Sequence, residues 1–413
     1  MAKQGKEMAT PRRGSRPTPQ SELITENPTG REKGFKAENI RVIAPTAEDA
    51  EVAKRLADRL AAGDGHRINP SDRTLVATIQ ASYERKRAGV SPEVEDFTLS
   101  DHERREFRAV QPTDTLRYLI YRYKYQKHPE LKVIEQHPPC VQIEPTSICN
   151  FRCIMCYQID ETFSHKSSGF MGHMSLDLFK KVIDQIAGSV EAVTLASRGE
   201  PLLNLEILEM LAYCRGKFLA LKVNTNAALL NERMAHGLLS SDMQTLVFSI
   251  DSADKEQYER IRVNGNFEKI LANLELFQKL RETQYPHSQL VVRISGVKLN
   301  EHQEIDRMSN QWKRFADVVA FTNYTPWQDS YNNSVNDVTT PCTELWRRMF
   351  VWWDGTVNPC DFDYKSVLSH WNITESGQTV QDIWTSEQYD DLRKRHLSGN
   401  RGSLDPCRRC VMM

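Results

Sequence analysis

Three cysteines in the run CNFRCIMC, Cys149, Cys153 and Cys156, follow a short strand-like segment. Three residues between the first pair and two between the second let one loop wrap a corner of an iron–sulfur cube, whose irons favour soft thiolate ligands. Three ligands leave a fourth iron open, and an open iron is where a reaction can start. The nearest further cysteine, Cys140, begins the apolar run Cys140-Val141-Gln142-Ile143 and reads as a small buried hydrophobe.

A second group closes the chain. Cys342 and Cys360 flank Trp352-Trp353-Asp354-Gly355-Thr356-Val357, a hairpin pattern turned at Asp354-Gly355, and Cys407 and Cys410 form a Cys-x-x-Cys pair. Four thiolates complete one cluster; the same donors suit a tetrahedral zinc knot, and spacing alone leaves both open. Asp361 and Asp363, just beyond Cys360, are placed either to take a proton from a substrate or to cap a turn. Six of the seven tryptophans fall between Trp327 and Trp384, where such rings stack on sugar faces or build the core of a small domain. The shortage of other large side chains there favours core.

The elements that must hold these groups alternate. β-rich runs at 141–144, 192–197, 219–224, 245–250, 290–297 and 318–323 are separated by helical stretches such as 176–187, 205–214 and 267–282. Six β/α units predict an α/β fold with a partial parallel (β/α)6 barrel over residues 138–330, its active residues at the C-terminal strand ends. Residues 331–413 then form a small cysteine-rich auxiliary-cluster domain that includes a helix at 386–396. Upstream, 41–137 reads as a helical N-terminal region, with Thr46 and Ser71 as N-caps and Gly63 and Gly89 as stops. The stripe Tyr118, Tyr121, Tyr123 and Tyr125 reads as packing. Residues 1–40, basic and rich in Pro, Ser and Gly without hydrophobic period, read as a disordered tail.

With 54 Lys and Arg against 55 Asp and Glu, the chain of 413 residues has no overall charge to draw it to nucleic acid or an acidic membrane. No apolar run approaches the roughly 18 residues of a membrane span, and the start lacks the apolar core of a secretory signal, so a cytoplasmic location is expected. In that reducing compartment, seven of nine cysteines at ligand spacing read as metal binding rather than disulfides.

From about residue 138 onward, these features resemble the radical S-adenosylmethionine (SAM) superfamily. The resemblance implies that Cys149, Cys153 and Cys156 hold a [4Fe-4S] cluster whose open iron chelates SAM, and that reductive cleavage yields a 5′-deoxyadenosyl radical. Ser197-Arg198-Gly199-Glu200-Pro201 is similar to the family's Gly-Gly-Glu-Pro segment, with Arg198 at the first glycine, and implies that Glu200 receives the SAM ammonium. Asn224-Thr225-Asn226-Ala227 is similar to the family's Thr-Asn-Gly and places Asn224 and Asn226 near the ligand. The run from Ser249 to Arg262 implies Ser249 or Asp251 at the ribose and Arg262 at the carboxylate; Ile294-Ser295-Gly296-Val297 and Tyr157 are expected beside the adenine. Residues 331–413 resemble a shortened SPASM or twitch domain, implying that Cys342, Cys360, Cys407 and Cys410 hold a second [4Fe-4S] auxiliary cluster. A related member oxidises an aminocyclitol alcohol, which makes a sugar or cyclitol the expected small-molecule substrate and a flavodoxin or ferredoxin the expected electron donor. A peptide-modifying maturase is the alternative within the family, and a zinc-stabilised binding module the alternative outside it.

Overall fold

A computed structural model of the chain describes residues 46–66, 68–300 and 303–412. The tail expected at 1–40 lies outside the described residues. All six expected barrel strands are present: β1 (Cys140–Ile143), β3 (Ala192–Leu195), β4 (Ala220–Thr225), β5 (Thr245–Ser249), β7 (Val291–Lys298) and β8 (Val318–Asn323). Between them, β2 (Arg152–Cys153) and β6 (Arg262–Val263) form a separate two-residue ribbon that ties the cysteine loop to the segment after β5. The six lie side by side in that order, each parallel to the next. Their outer faces carry Val141, Val193, Leu221, Val223, Leu246, Phe248, Val292 and Ile294, which share one apolar core with helices such as Leu176–Ile186 and Phe267–Gln284.

The expected cysteine-rich domain is not a separate layer. Its hairpin, β9 (Arg348–Val351) and β10 (Thr356–Asn358), continues the barrel sheet: β9 runs parallel to β1, and β10 and β11 (Trp371–Asn372) follow antiparallel. An open β1 edge would leave a row of unpaired backbone groups, and β9 covers it while Met349 and Val351 join the same core. The turn falls at Asp354-Gly355 as expected, with Gly355 at φ +86. Among the tryptophans, Trp312, Trp346, Trp352, Trp371 and Trp384 are buried core, whereas Trp327 and Trp353 are half-buried.

The N-terminal region is helical and closes the bottom of the barrel. Helix Ala47–Ala61 starts at a Thr46 capping box, as expected, but helix Pro70–Arg87 is capped by Asn69 rather than Ser71. Pro70 suits the first helical position, which lacks a hydrogen-bond role for its nitrogen, and so leaves the cap to the residue before it. Helix Thr115–Leu131 carries the tyrosine stripe into a second core, shared with Cys140, Ala192, Leu219 and Ala220 at the strand starts. Tyr125 accepts a bond from Arg348 Nη2 at 3.1 Å, and Thr245 Oγ1 donates to Glu106 at 3.3 Å, so polar groups also seal this end. No described helix is long and apolar enough to cross a membrane.

Candidate functional site

At the opposite, C-terminal end of the barrel, the β1–Cys149 loop is pinned from three sides. The Glu200 N–H donates to the Ile148 carbonyl at 2.9 Å, the Ile154 N–H donates to the Ile261 carbonyl at 3.0 Å, and buried Gln158 Nε2 donates to Ser147 O at 2.7 Å and to Arg198 O. This contact is so close that a Cβ on Gly199 would stand 2.3 Å from the Thr146 carbonyl oxygen and 2.5 Å from that of Ile148. Gly199→Ala is therefore expected to cost about 3 kcal/mol, since backbone must move to admit it. Anaerobic urea denaturation checks this, and a loss below about 1 kcal/mol would contradict the close packing.

Burial raises all three thiols, Cys156 to about 12; neighbouring thiols add to this at Cys149 and Cys156, whereas at Cys153 nearby Asp251 adds to it and Arg262 opposes it. A cationic cluster removes that obstacle, so the donor set fits one. The Phe151 N–H donates to Cys149 Sγ at 3.4 Å and Arg262 Nη1 to Cys153 Sγ at 3.8 Å.

The strand ends divide between groups already engaged and groups left for a ligand. Glu200, buried, accepts from Leu202 N, Thr225 Oγ1 and Asn226 N, leaving one of its roughly four acceptor positions. Asn226 ties this end to the cysteine loop through Asn150 (2.9 Å) and accepts from Ala228 N, so it is a positioning residue. Asp251 accepts from Arg262 Nε at 2.6 Å and from Val297 N at 2.7 Å, one bond on each carboxylate oxygen, so both it and Ser249 keep the ribose expectation. Arg262 keeps Nη2 for a carboxylate. Among the described residues, the buried oxygens without a partner include Ser197 Oγ, Asn224 Oδ1 and Gln158 Oε1. Ser197 also holds φ at 149, a region rare for any residue but glycine. Unpaired acceptors and a strained loop at one strand end are what a bound polar ligand would use.

Tyr157 departs from expectation. Its ring stacks on Tyr364 with centroids 4.8 Å apart and packs against Phe163 and Trp327, so its faces are taken by the C-terminal region. Instead Met155 and Val297 pack together beside Ile154, Ile261, Leu299 and Tyr324, an apolar wall the sequence reading missed. Arg198 stands where the family's segment has its first glycine. Its side chain is buried and forms a fork on Glu144 (2.7 Å twice), donates to the Tyr364 carbonyl at 2.8 Å and lies 4.2 Å over the Trp352 ring.

Below this mouth, the inner faces of β4 and β7 are half-buried where their outer faces are fully buried, so Lys222, Asn224, Arg293 and Ser295 look into an accessible lumen. Lys222 makes no ion pair or hydrogen bond among the described residues. Burial and the nearby Arg348 and Arg293 lower its pKa to about 8.

Cys342, Cys360, Cys407 and Cys410 border one cavity, with Leu345, Phe362, Leu368 and Pro406 as its apolar lining. Among the described residues no three Cys, His, Asp or Glu side chains converge as tightly as a single ion needs. Four soft thiolates around one cavity are the donor set that a four-iron cluster takes. Asp361, next to Cys360 in the chain, is bonded to Gln142 of β1. Asp363 is different: fully buried, it accepts from Tyr331 Oη at 2.6 Å and from the N–H groups of Val367 and Leu368. These bonds cap a turn and leave one acceptor position, on Oδ2.

Comparison with known proteins agrees with this geometry. The radical SAM superfamily model matches residues 143–308, and the iron–sulfur cluster-binding SPASM domain model matches 342–411. An uncharacterized protein of Methanocaldococcus jannaschii is 24% identical over 198 residues, 48% of this chain and 60% of that protein. An AdoMet-dependent heme synthase of Methanosarcina barkeri is 30% identical over 143 residues, 34% of this chain and 40% of that protein. The chain thus spans between two fifths and three fifths of these relatives' own lengths. SuiB of Streptococcus suis, solved with its precursor peptide SuiA, shares the fold with a TM-score of 0.50 at 16% identity, over 69% of this chain and 72% of that one. The chain belongs to the radical SAM superfamily and carries a C-terminal SPASM domain, and its cofactors are SAM, a [4Fe-4S] cluster and auxiliary iron–sulfur.

Proposed function

We propose that this enzyme oxidises a secondary alcohol of a small polyol, a sugar or cyclitol, to a ketone. The observation that carries the reading is Asp361: it follows cluster ligand Cys360 and is bonded to Gln142 on the lumen side of β1, so one short segment can receive both products of the final step.

Cys149, Cys153 and Cys156 would hold the first cluster, with Glu200 at the SAM ammonium, Arg262 Nη2 at the carboxylate, Ser249 or Asp251 at the ribose and the Met155–Val297 wall beside the nucleoside. Bound there, cluster and SAM supply a carbon radical that removes hydrogen from an unactivated C–H bond, and the auxiliary cluster supplies a sink for one electron. Lys222, Arg293 and Ser295 then hold substrate hydroxyls in the lumen. Asp361 takes the hydroxyl proton, which balances the loss of one hydrogen atom, one proton and one electron from the alcohol. The oxygen-sensitive clusters and the need for a reductant such as flavodoxin or ferredoxin support a cytoplasmic setting.

Substrate-dependent formation of 5′-deoxyadenosine, with deuterium transfer from a labelled carbinol carbon, tests the reading across polyols and peptides. Turnover triggered by a peptide alone would overturn it in favour of a maturase. Asp361→Asn is expected to keep its iron and its substrate-triggered 5′-deoxyadenosine while ketone formation falls roughly 100-fold, the usual scale for losing a general base. Lys222→Met is expected to raise the substrate KM about tenfold, the worth of one hydrogen bond from a charged donor, with substrate-free SAM cleavage unchanged.

A further inference from the structure

The C-terminal cavity contains two buried N–H groups that the protein does not use. His396, on helix Glu387–Leu397, is 1% exposed, and its Nδ1 accepts the Cys342 backbone N–H at 3.2 Å. A ring nitrogen that accepts is unprotonated, so the imidazole is neutral and its proton sits on Nε2. That Nε2 is buried without a partner, and His396 lines the cavity. Arg401, also 1% exposed, gives Nη1 to the Thr340 and Met412 carbonyls and Nη2 to those of Cys407 and Cys410; its Nε–H is likewise buried and unpartnered. The lining offers few other acceptors. Glu344 is engaged with Arg347 and Arg348, and the Asp363 oxygens are engaged by Tyr331, Val367 and Leu368.

We propose that His396 Nε2–H and Arg401 Nε–H donate hydrogen bonds to the sulfurs of the auxiliary cluster and make it easier to reduce. Buried N–H groups cost free energy when unpaired, and the sulfide and thiolate sulfurs of a cluster are the acceptors that the cavity is built to receive. Donors to these sulfurs stabilise the more negative, reduced state. This would suit the cluster as an electron acceptor, a use that rests on the oxidation reading; the hydrogen bonds themselves do not.

The test separates the two nitrogens. In His396→Asn the side-chain oxygen can replace Nδ1 as acceptor for Cys342 while Nε2–H is lost; in His396→Gln the amide N–H can replace Nε2–H. Full-length chain bearing Cys149, Cys153 and Cys156→Ala, so that only the auxiliary cluster contributes, is reconstituted and titrated potentiometrically with EPR detection. Iron is quantified in each sample. His396→Asn is expected to shift the reduced-to-oxidised ratio at a fixed potential about tenfold toward oxidised, ~59 mV for one electron, and His396→Gln to restore most of it. Pulsed EPR of protein labelled with 15N-histidine should show a nitrogen coupled to the reduced cluster, absent in His396→Asn. An unchanged potential in His396→Asn with four irons retained, or no 15N coupling in the unsubstituted cavity, overturns the proposal. If His396→Asn fails to take up iron, the 15N coupling and the His396→Gln potential decide. A substrate that proves to be a peptide would sink the polyol reading and leave these potentials untouched.

Discussion

Replacing Cys149, Cys153 and Cys156 together by alanine is expected to lower iron in the anaerobically reconstituted chain from about eight to about four atoms and to abolish 5′-deoxyadenosine formation. On the proposed assignment the three thiols are the whole protein ligand set of the first cluster, and the four others border their own cavity. The fold should survive, because the cations near the loop have other partners: Arg262 stays paired with fully buried Asp251, and Arg152 stays bonded to the Cys149 and Phe151 carbonyls. Four remaining irons with no SAM cleavage would match two independent four-iron sites. A fall to zero would mean that one site cannot form without the other. About four irons plus one zinc in the unsubstituted chain would make the C-terminal site a structural knot and remove the electron sink from the oxidation reading.

What the sequence disclosed and what it hid follow from the range of the interactions. The barrel strands were legible because buried parallel strands read as short β-branched runs with helices between them, and the hairpin because Asp354-Gly355 fits its turn. The pairing of β9 with β1 left no local mark, since it joins Cys140 to Arg348 across about two hundred residues. The partners of the site residues were hidden for the same reason. Asp251 and Arg262 were each legible as polar groups at a strand end, but nothing local says that they bind one another. Tyr157 looked available until Tyr364, on a segment with no sequence link to it, took its face. Asp363 could be read as a base or a turn cap, and its bond from Tyr331, 32 residues upstream, had no local mark. His396 carried no signal at all, being one polar residue on an amphipathic helix until the Cys342 backbone fixes its tautomer.

Arg198→Met is expected to destabilise the protein by about 4 kcal/mol, the scale for stripping the partner from a buried ion pair. Glu144 is 0% and Arg198 3% exposed, so the abandoned carboxylate would face low dielectric with only the backbone N–H of residue 198 and that of Trp353 in reach. Arg198→Lys keeps the charge but loses the planar fork, the Tyr364 carbonyl bond and the flat stack on Trp352, and should cost about half as much. The double variant Glu144→Gln, Arg198→Met should be less destabilised than Arg198→Met alone, because a neutral amide is cheaper to leave buried than an unpaired carboxylate, and that non-additivity is the signature of a direct pair. Anaerobic denaturation of the four proteins measures it; an Arg198→Met loss below about 1 kcal/mol would refute a buried pair. The position has a functional consequence as well. Arg198 joins the end of β1, the loop after β3 and the backbone at Tyr364, four residues past Cys360, so it fixes the spacing between the SAM-binding mouth and the auxiliary cavity. Glycine there would serve the backbone contacts alone. Arginine adds a clamp between the two proposed cluster sites, and on the oxidation reading Arg198→Lys should therefore lower ketone yield per 5′-deoxyadenosine more than it lowers SAM cleavage itself.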